Sequence, residues 1–160
     1  MRIGIIIVFH NNDKDIDTQF FIEYLNQAKN LELCLVNNAS KDNTYQLLKE
    51  IKESCSTNVY LVDVKKFKSD ISAVRSGARF MFNQLELRHI GYFSTNLMNI
   101  KKYSINGLIK SISENQDVIL KYNITVIEKQ EMKQTLFQSV FSITEYLEKL
   151  KFNNQRVSLQ

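Results

Sequence analysis

Three small polar residues, Ser94, Thr95 and Asn96, directly follow the short apolar run of residues 90–93. This order is typical of a buried strand that ends by presenting polar side chains at the carboxyl edge of a parallel sheet, where open α/β folds place their ligands. Hydroxyl and amide groups can hydrogen-bond a ligand, but they bring no negative charge to a hard divalent cation. The stretch therefore predicts a ligand-binding edge at which a tight metal site is not expected.

Two other apolar runs, residues 3–9 and 31–36, also end in polar residues. The polar residues that follow them are His10, Asn11, Asn12, Asn37 and Asn38. Right-handed crossovers put the carboxyl ends of parallel strands on one edge of a sheet. We therefore expect these side chains to meet Ser94 and Asn96 along that edge.

The elements that must position these residues alternate along the chain. Apolar runs typical of buried strands cover residues 3–9, 31–36, 59–64 and 90–93. Between and after them, apolar residues at helical spacing predict helices near residues 15–29, 45–51, 70–86 and 103–112. Gly77, inside the third helix, costs about 1 kcal/mol relative to alanine unless another element approaches closely. The alternation predicts an α/β fold with a doubly wound, mainly parallel sheet in three α/β/α layers.

The C-terminal part is predicted to contain a further strand and a long helix. Residues 118–121 are interpreted as the strand, and residues 122–128 fit either a strand or a loop. Apolar residues from Leu136 to Leu150 predict a helix over 131–151, which we expect to pack on the sheet rather than to bind a membrane or partner. The organisation is then one domain over residues 1–152, followed by a polar, frayed tail over residues 153–160.

The composition of the 160 residues, 44% hydrophobic and 24% charged, is that of a soluble globular domain. The net charge of +4 is interpreted as scattered, with its densest cluster at residues 65–68, which argues against a nucleic-acid-binding protein. Cys34 and Cys55 are expected to be reduced, which favours a cytoplasmic location. The apolar start is too short and too soon polar for a signal peptide or a transmembrane segment.

The strand ends, taken in order, resemble the nucleotide-sugar-binding half of a family 2 glycosyltransferase with the GT-A, Rossmann-like fold. In that family the first strand ends in a pattern like I-I-I-P-x-Y-N-E, and residues 5–12, IIIVFHNN, resemble it with His10 in place of the aromatic residue. The second strand typically reads V-D-[DN]-[GA]-S-x-D-x-T. Residues 36–44, VNNASKDNT, resemble it with Asn37 in place of the nucleotide-contacting aspartate.

Two later segments extend the resemblance. Residues 70–77, DISAVRSG, are similar to the family's G-x-[SA]-x-A-R-N-x-G, with Asp70 in place of the glycine. Residues 89–97, HIGYFSTNL, are similar to Y-I-G-Y-x-D-A-D-L, with Ser94 and Asn96 in place of the D-x-D carboxylates. The match includes D-V-I-L at residues 117–120 and ends near residue 121, so the resemblance implies a fold truncated relative to the full family domain.

The resemblance implies a binding site for a UDP- or GDP-type nucleotide sugar. The residues that it assigns to nucleotide binding are Phe9, His10, Asn11, Asn37, Asn38, Arg75, Ser94 and Asn96. Arg75 and the lysines of residues 65–68 supply positive charge to a diphosphate. No catalytic residue and no metal ligand is assigned, and we expect Mg²⁺ or Mn²⁺ to bind only weakly and only through a bound nucleotide diphosphate.

The sequence leaves three functions open, and with them the question of whether the chain is an enzyme. The first is a degenerate, non-catalytic glycosyltransferase-like domain, because the D-x-D carboxylates and the acceptor half with its general base are not recognised. The second is an active, metal-independent glycosyltransferase. The third is a protein-interaction module, which uses the helix at residues 131–151 to contact a second copy or a partner chain.

Overall fold

The computed structural model describes residues 2–55, 58–96, 104–130, 135 and 139–158. The strands in these ranges are β1 (Ile3–Phe9), β2 (Leu31–Asn38), β3 (Val59–Val64), β4 (Ile90–Ser94) and β5 (Phe141–Ser142). All pairings are parallel, and the strands form one sheet in the order β3-β2-β1-β4-β5. Every residue of β1 and β2 is buried, because both strands are central and covered on both faces.

The helices cover the two faces of the sheet unequally. They are α1 (Thr18–Gln27), α2 (Thr44–Ser54), α3 (Asp70–Leu85), α4 (Ile105–Glu128) and α5 (Ile143–Ser158). On one face, residues such as Ile5 and Leu33 share a core with α1, α2, α4 and α5. On the other face, Ile6 and Val36 share a second core with α3. The predicted doubly wound sheet in three layers is confirmed.

Helix α3 is positioned by local chemistry and by one close contact. The Ser69 hydroxyl oxygen accepts a hydrogen bond from the Ser72 backbone N–H at 3.3 Å, which caps the first turn. At the other end, Glu86 stops the helix in the left-handed conformation, with φ at 55°. A Cβ atom on Gly77 would lie 2.8 Å from Cγ2 of Ile6. The glycine therefore allows α3 to approach β1 closely. This is the close approach that a glycine inside a helix indicated.

The strand predicted at residues 118–121 is wrong, because these residues lie in α4. Ile119 and Leu120 are buried and Val118 is exposed, as the 3.6-residue period of an amphipathic helix requires. Asn115 has a non-helical backbone, with φ at -120° and ψ at 18°, which separates the apolar residues before it from those after it. In the sequence, the apolar residues after Asn115 therefore look like a short run of their own, which is the pattern of a strand. Residues 122–128, predicted as strand or loop, are also helical.

The helix predicted over residues 131–151 is wrong at residues 141 and 142, which form strand β5. Phe141 pairs with Gly91 of β4, so the unpaired edge of β4 gains a short parallel neighbour. Leu136, which was assigned to the helix, lies outside the described residues. Helix α5 begins at Ile143 and runs to Ser158, so residues 153–158 of the predicted tail continue it, and a domain limit at residue 152 stays a prediction.

The apolar side of α5 belongs to the core. Ile143, Tyr146 and Leu147 are buried in the same cluster as α4 and the sheet. The prediction that this helix covers the sheet is therefore confirmed. In the part of the chain that the structure describes, no helix is both long enough and apolar enough to span a bilayer.

Candidate functional site

An open cleft lies at the carboxyl ends of β1, β2 and β3. Its volume is about 580 Å³, which falls within the range of small-molecule sites. The residues that line it are His10, Asn11, Ala39, Ser40, Lys41, Lys65, Lys66 and Phe67. The walls thus combine two aromatic rings, three lysines and several short polar groups. Such a lining suits a planar, anionic ligand.

The two rings of the cleft contact each other. The ring centroids of His10 and Phe67 are 4.7 Å apart and the planes are inclined at 59°. Nδ1 of His10 lies 2.6 Å from the Asn38 carbonyl oxygen, and because a carbonyl oxygen only accepts, Nδ1 carries the proton. Nε2 is then free to accept from the Asn11 side-chain amide, 3.2 Å away. His10 is held in one orientation, whereas the Phe67 ring is 57% exposed at the mouth of the cleft.

The turn after β1 is held by hydrogen bonds from asparagine side chains. Asn11 adopts the left-handed conformation, with φ at 53°, which asparagine tolerates better than most residues. Its side-chain oxygen accepts from the Lys41 backbone N–H at 2.8 Å, and its backbone N–H donates to the Ser40 hydroxyl at 3.0 Å. Oδ1 of Asn12 accepts from the Thr95 hydroxyl at 2.8 Å. These bonds tie the β1 turn to the ends of β2 and β4.

Asn37 lies at the end of β2 and connects to an acidic neighbour. Its side-chain amide donates to Oδ1 of Asp63 at 2.9 Å, and Oδ2 of Asp63 lies 2.7 Å from Nζ of Lys65. Partial burial by itself raises the pKa of Asp63, but the hydrogen bonds from Lys65 and Asn37 outweigh it and lower the pKa below its ordinary value. Asn37 is 3% exposed, and its Oδ1 is buried without a hydrogen-bond partner. This oxygen is a buried acceptor without a partner, and Asn37 is not among the residues that line the cleft.

Asn38 is engaged within the protein. The residue is wholly buried, its side-chain amide donates to the Lys68 carbonyl at 2.8 Å, and its Oδ1 accepts from the Lys68 backbone N–H at 3.0 Å. The side chain therefore fixes the loop that carries Lys65, Lys66 and Phe67. Asn38 supports the cleft through this loop, and its wholly buried side chain is not part of the lining.

Ser94, at the end of β4, is also engaged. Its side chain is buried, and its hydroxyl donates to Oδ1 of Asp70 at 2.8 Å. In the family pattern, an aspartate stands at the position of Ser94 and a glycine at the position of Asp70. The strand end of this chain therefore has a carboxylate beside it, but that carboxylate comes from α3. The contact between Ser94 and Asp70 was not predicted from the sequence. One position loses the family's carboxylate and the other gains one, and this exchange was the signal in the sequence that could have revealed the contact.

The donor set at this edge does not fit a tightly bound hard cation. Asp70 brings one carboxylate, the Ser94 hydroxyl is bonded to it, and the exposed Asn96 brings a neutral amide. Across residues 2–55, 58–96, 104–130 and 139–151, no three His, Cys, Asp or Glu side chains are grouped so that they could hold a metal ion. Mg²⁺ and Mn²⁺ need several anionic oxygens to compensate for lost hydration.

Two residues assigned by the resemblance lie away from the cleft lining. Phe9 is wholly buried, with its ring centroid 6.4 Å from that of Phe21. Arg75 is exposed on α3 and is not part of the lining. His10 and Asn11 are the assigned residues that line the cleft. Lys41 and Ser40 were missed as lining residues, whereas the lysine cluster at residues 65–68 was visible in the sequence.

Comparison with known proteins supports the fold alone. No protein-family model matches the sequence, and no curated protein matches it. The solved structure of S. aureus TarS 1–349 aligns with a TM-score of 0.52 and 12% identity, over 78% of this chain and 33% of that one. The fold predicted from the sequence, a GT-A-like α/β fold, is thereby confirmed.

Two further solved structures align less closely. TarS 1–349 in complex with UDP has a TM-score of 0.45 and 13% identity, over 60% of this chain and 28% of that chain. A mannosyltransferase, PcManGT from Pyrobaculum calidifontis, in complex with GDP-Man and Mn²⁺, has a TM-score of 0.38 and 20% identity, over 49% of this chain and 24% of that one. The chain thus spans a third or less of the length of each of these structures.

Proposed function

We propose that the chain is a family 2 glycosyltransferase-like domain that binds a UDP- or GDP-type nucleotide sugar and does not catalyse metal-assisted transfer by itself. The observation that carries the proposal is the cleft of about 580 Å³, with its paired rings and its lysines, at the carboxyl edge of a parallel sheet. The resemblance of the strand ends to family 2 motifs gives the class of ligand.

The cleft offers a separate group for each part of such a ligand. The exposed ring of Phe67 presents a face on which a nucleobase stacks. Lys41 and Lys66 are exposed cations for phosphate oxygens, while Lys65 is already paired with Asp63.

The charge balance favours binding without a metal ion. A bound Mg²⁺ or Mn²⁺ supplies positive charge to a leaving diphosphate, but the Asp70–Ser94 pair is a poor donor set for either ion. Lysines lower the electrostatic cost of holding a diphosphate without a divalent cation. We therefore expect nucleotide affinity that changes little when divalent cations are removed.

Metal-independent transfer is the second candidate function. Lys41 and Lys66 favour it, since exposed cations in the cleft can stabilise a leaving diphosphate. Interaction through the predicted 131–151 helix receives no support, because Ile143, Tyr146 and Leu147 are buried within the chain. A panel of nucleotide sugars tested for transfer and hydrolysis separates the first two functions, since turnover that persists with a chelator present would establish the second.

Calorimetry with UDP, GDP and their sugar conjugates, with and without Mn²⁺, tests the binding proposal. Phe67→Ala and Lys66→Ala are each expected to weaken binding by about ten-fold, through loss of a stacking face or of a charged hydrogen bond. Phe82→Ala and Lys49→Ala remove comparably exposed side chains on α3 and α2 and should leave binding unchanged. Binding that requires Mn²⁺, or no binding of any nucleotide, would contradict the proposal.

A further inference from the structure

The net positive charge of the chain falls in one segment, residues 65–82, so it is less evenly scattered than the sequence led us to expect. The charged residues of the segment are Lys65, Lys66, Lys68, Arg75, Arg79 and a single acid, Asp70. This gives the segment a net charge of +4, the same as the +4 of the whole chain. The remaining residues therefore sum to no net charge.

The same segment also exposes large apolar side chains. Phe67, Ile71 and Phe82 are 57%, 66% and 46% exposed, and Ile71 has the largest exposed fraction among the large apolar residues that the structure describes as exposed. The others, Val118 and Ile127, lie on α4. An isolated exposed apolar residue is ordinary, but three of them among five cations in one short segment form a pattern.

Helical geometry places most of these groups on one side of α3. Ile71, Arg75, Arg79 and Phe82 follow spacings of four, four and three residues, so they fall within an arc of about 80°. The opposite side of the helix carries buried residues such as Ala73 and Met81, which pack on the sheet. From Ile71 to Phe82 the exposed row is about 16 Å long.

We propose that this surface docks the domain on an anionic lipid bilayer. The surface, called here the basic apolar face, comprises Phe67, Lys68, Ile71, Arg75, Arg79 and Phe82. It has the composition of an interfacial amphipathic helix, in which apolar side chains enter the headgroup region and long cationic side chains reach anionic headgroups. The inference does not require nucleotide binding, but the face shares Phe67 with the cleft, so the tests change residues that do not line the cleft.

A bilayer fits this face better than a folded protein partner does. On α3, Arg75 and Arg79 stand between Ile71 and Phe82, and Phe67 precedes the helix. The apolar side chains therefore form no continuous apolar patch of the kind that protein interfaces bury at their centre. A lipid surface can take up separate apolar side chains, and its anionic headgroups attract each neighbouring cation. The face also adjoins the cleft through Phe67, which places the mouth of the cleft close to the docked surface.

Vesicle sedimentation of the full chain tests the proposal. The protein is expected to sediment with vesicles of phosphatidylcholine mixed with phosphatidylglycerol, but not with vesicles of phosphatidylcholine alone. It is expected to dissociate from the anionic vesicles as the salt concentration is raised. Ile71→Ser combined with Phe82→Ser should abolish sedimentation. Val118→Ser combined with Ile127→Ser is the matched control and should keep it, because these two residues are exposed on α4.

A second pair of variants isolates the role of charge. Lys68→Gln should weaken partitioning by about five-fold, the effect of one cation near an anionic surface. Lys129→Gln, an exposed lysine after α4, changes the net charge equally and should have no such effect. Thermal unfolding followed by circular dichroism confirms that each variant is folded.

Three outcomes would overturn the proposal. The first is that the folded protein does not sediment with anionic vesicles. The second is that the α3 and α4 variants lose sedimentation equally, which would mean that no specific face is involved. The third is a dimer in light scattering that Ile71→Ser with Phe82→Ser dissociates while vesicles are ignored, which would make the face an interface between copies of the chain.

Discussion

The carboxyl edge of the sheet differs on the two sides of β1. Towards β2 and β3 it opens into a cleft in which Lys66 and Phe67 face outward. Towards β4 it is closed by internal hydrogen bonds, Ser94 to Asp70 and Thr95 to Asn12. A polar residue at a strand end can therefore link neighbouring loops instead of contacting a ligand. Ligand-facing groups here come from the loops that those links hold in place.

The largest expected effect comes from breaking the link behind the open side. Asn38→Ala leaves the Lys68 backbone N–H and carbonyl without their partners and removes a buried amide, which should lower the free energy of unfolding by about 2–3 kcal/mol. Urea unfolding measures the change. Asn26→Ala, at an exposed position on α1, should stay within about 0.5 kcal/mol of the starting protein. Equal stability of the two variants would mean that the loop is held by other contacts.

Placing a second carboxylate on the closed side tests the Ser94–Asp70 pair. Ser94→Asp brings two carboxylates together and should cost about 1–3 kcal/mol at neutral pH. Adding Asp70→Asn should recover most of this loss, so the two changes are not additive in a double-mutant cycle. We also expect Mn²⁺ to raise the melting temperature of Ser94→Asp but not of the unaltered chain. Additive effects would show that the two side chains do not interact.

Removing the hydroxyl alone separates stability from binding. Ser94→Ala loses a hydrogen bond to a partly exposed carboxylate and should lower the free energy of unfolding by about 1 kcal/mol. Its nucleotide affinity in calorimetry should not change, whereas Lys66→Ala should show the reverse pattern. If Ser94→Ala weakened binding as strongly as Lys66→Ala, the closed side would belong to the ligand site and the contrast between the two sides would fail.

The smallest expected effect is a pH dependence of the open side. The pKa of Asp63 in the folded chain is below its ordinary value of 3.8, so its contribution to stability is complete above pH 3.8 and is lost as the pH falls through the folded pKa. Asp63→Asn should therefore flatten the decline of melting temperature below about pH 4. Asp15→Asn, an exposed control in the β1 turn, should leave that decline in place.

Most of the sheet could be predicted because its strands are buried on both faces. Continuous apolar runs mark such strands, and the runs at residues 3–9 and 31–36 match β1 and most of β2. The C-terminal part could not be read in this way. The non-helical backbone at Asn115 divides α4 into two patterns, and a two-residue strand such as β5 has no periodicity to detect.

The site was predictable in position but not in the role of each residue. The sequence indicated that the ends of β1, β2 and β4 meet, whereas the cleft lies at the ends of β1, β2 and β3. It could not reveal that Asn38 bonds to a backbone thirty residues later, because an asparagine that holds a loop and one that binds a ligand have the same chemistry. The partnership of Ser94 with Asp70 is likewise a property of the packing of α3 on β4.

Strand β5 has a consequence for the edge of the sheet that it forms. It forms the last strand of the sheet beside β4, with only Phe141 and Ser142 in the strand conformation. A long, flat edge exposes a row of unpaired amide and carbonyl groups on which another chain can extend the sheet, whereas a very short edge strand offers almost none. Because β5 has only two residues, this edge of the sheet is a poor template for the addition of another chain.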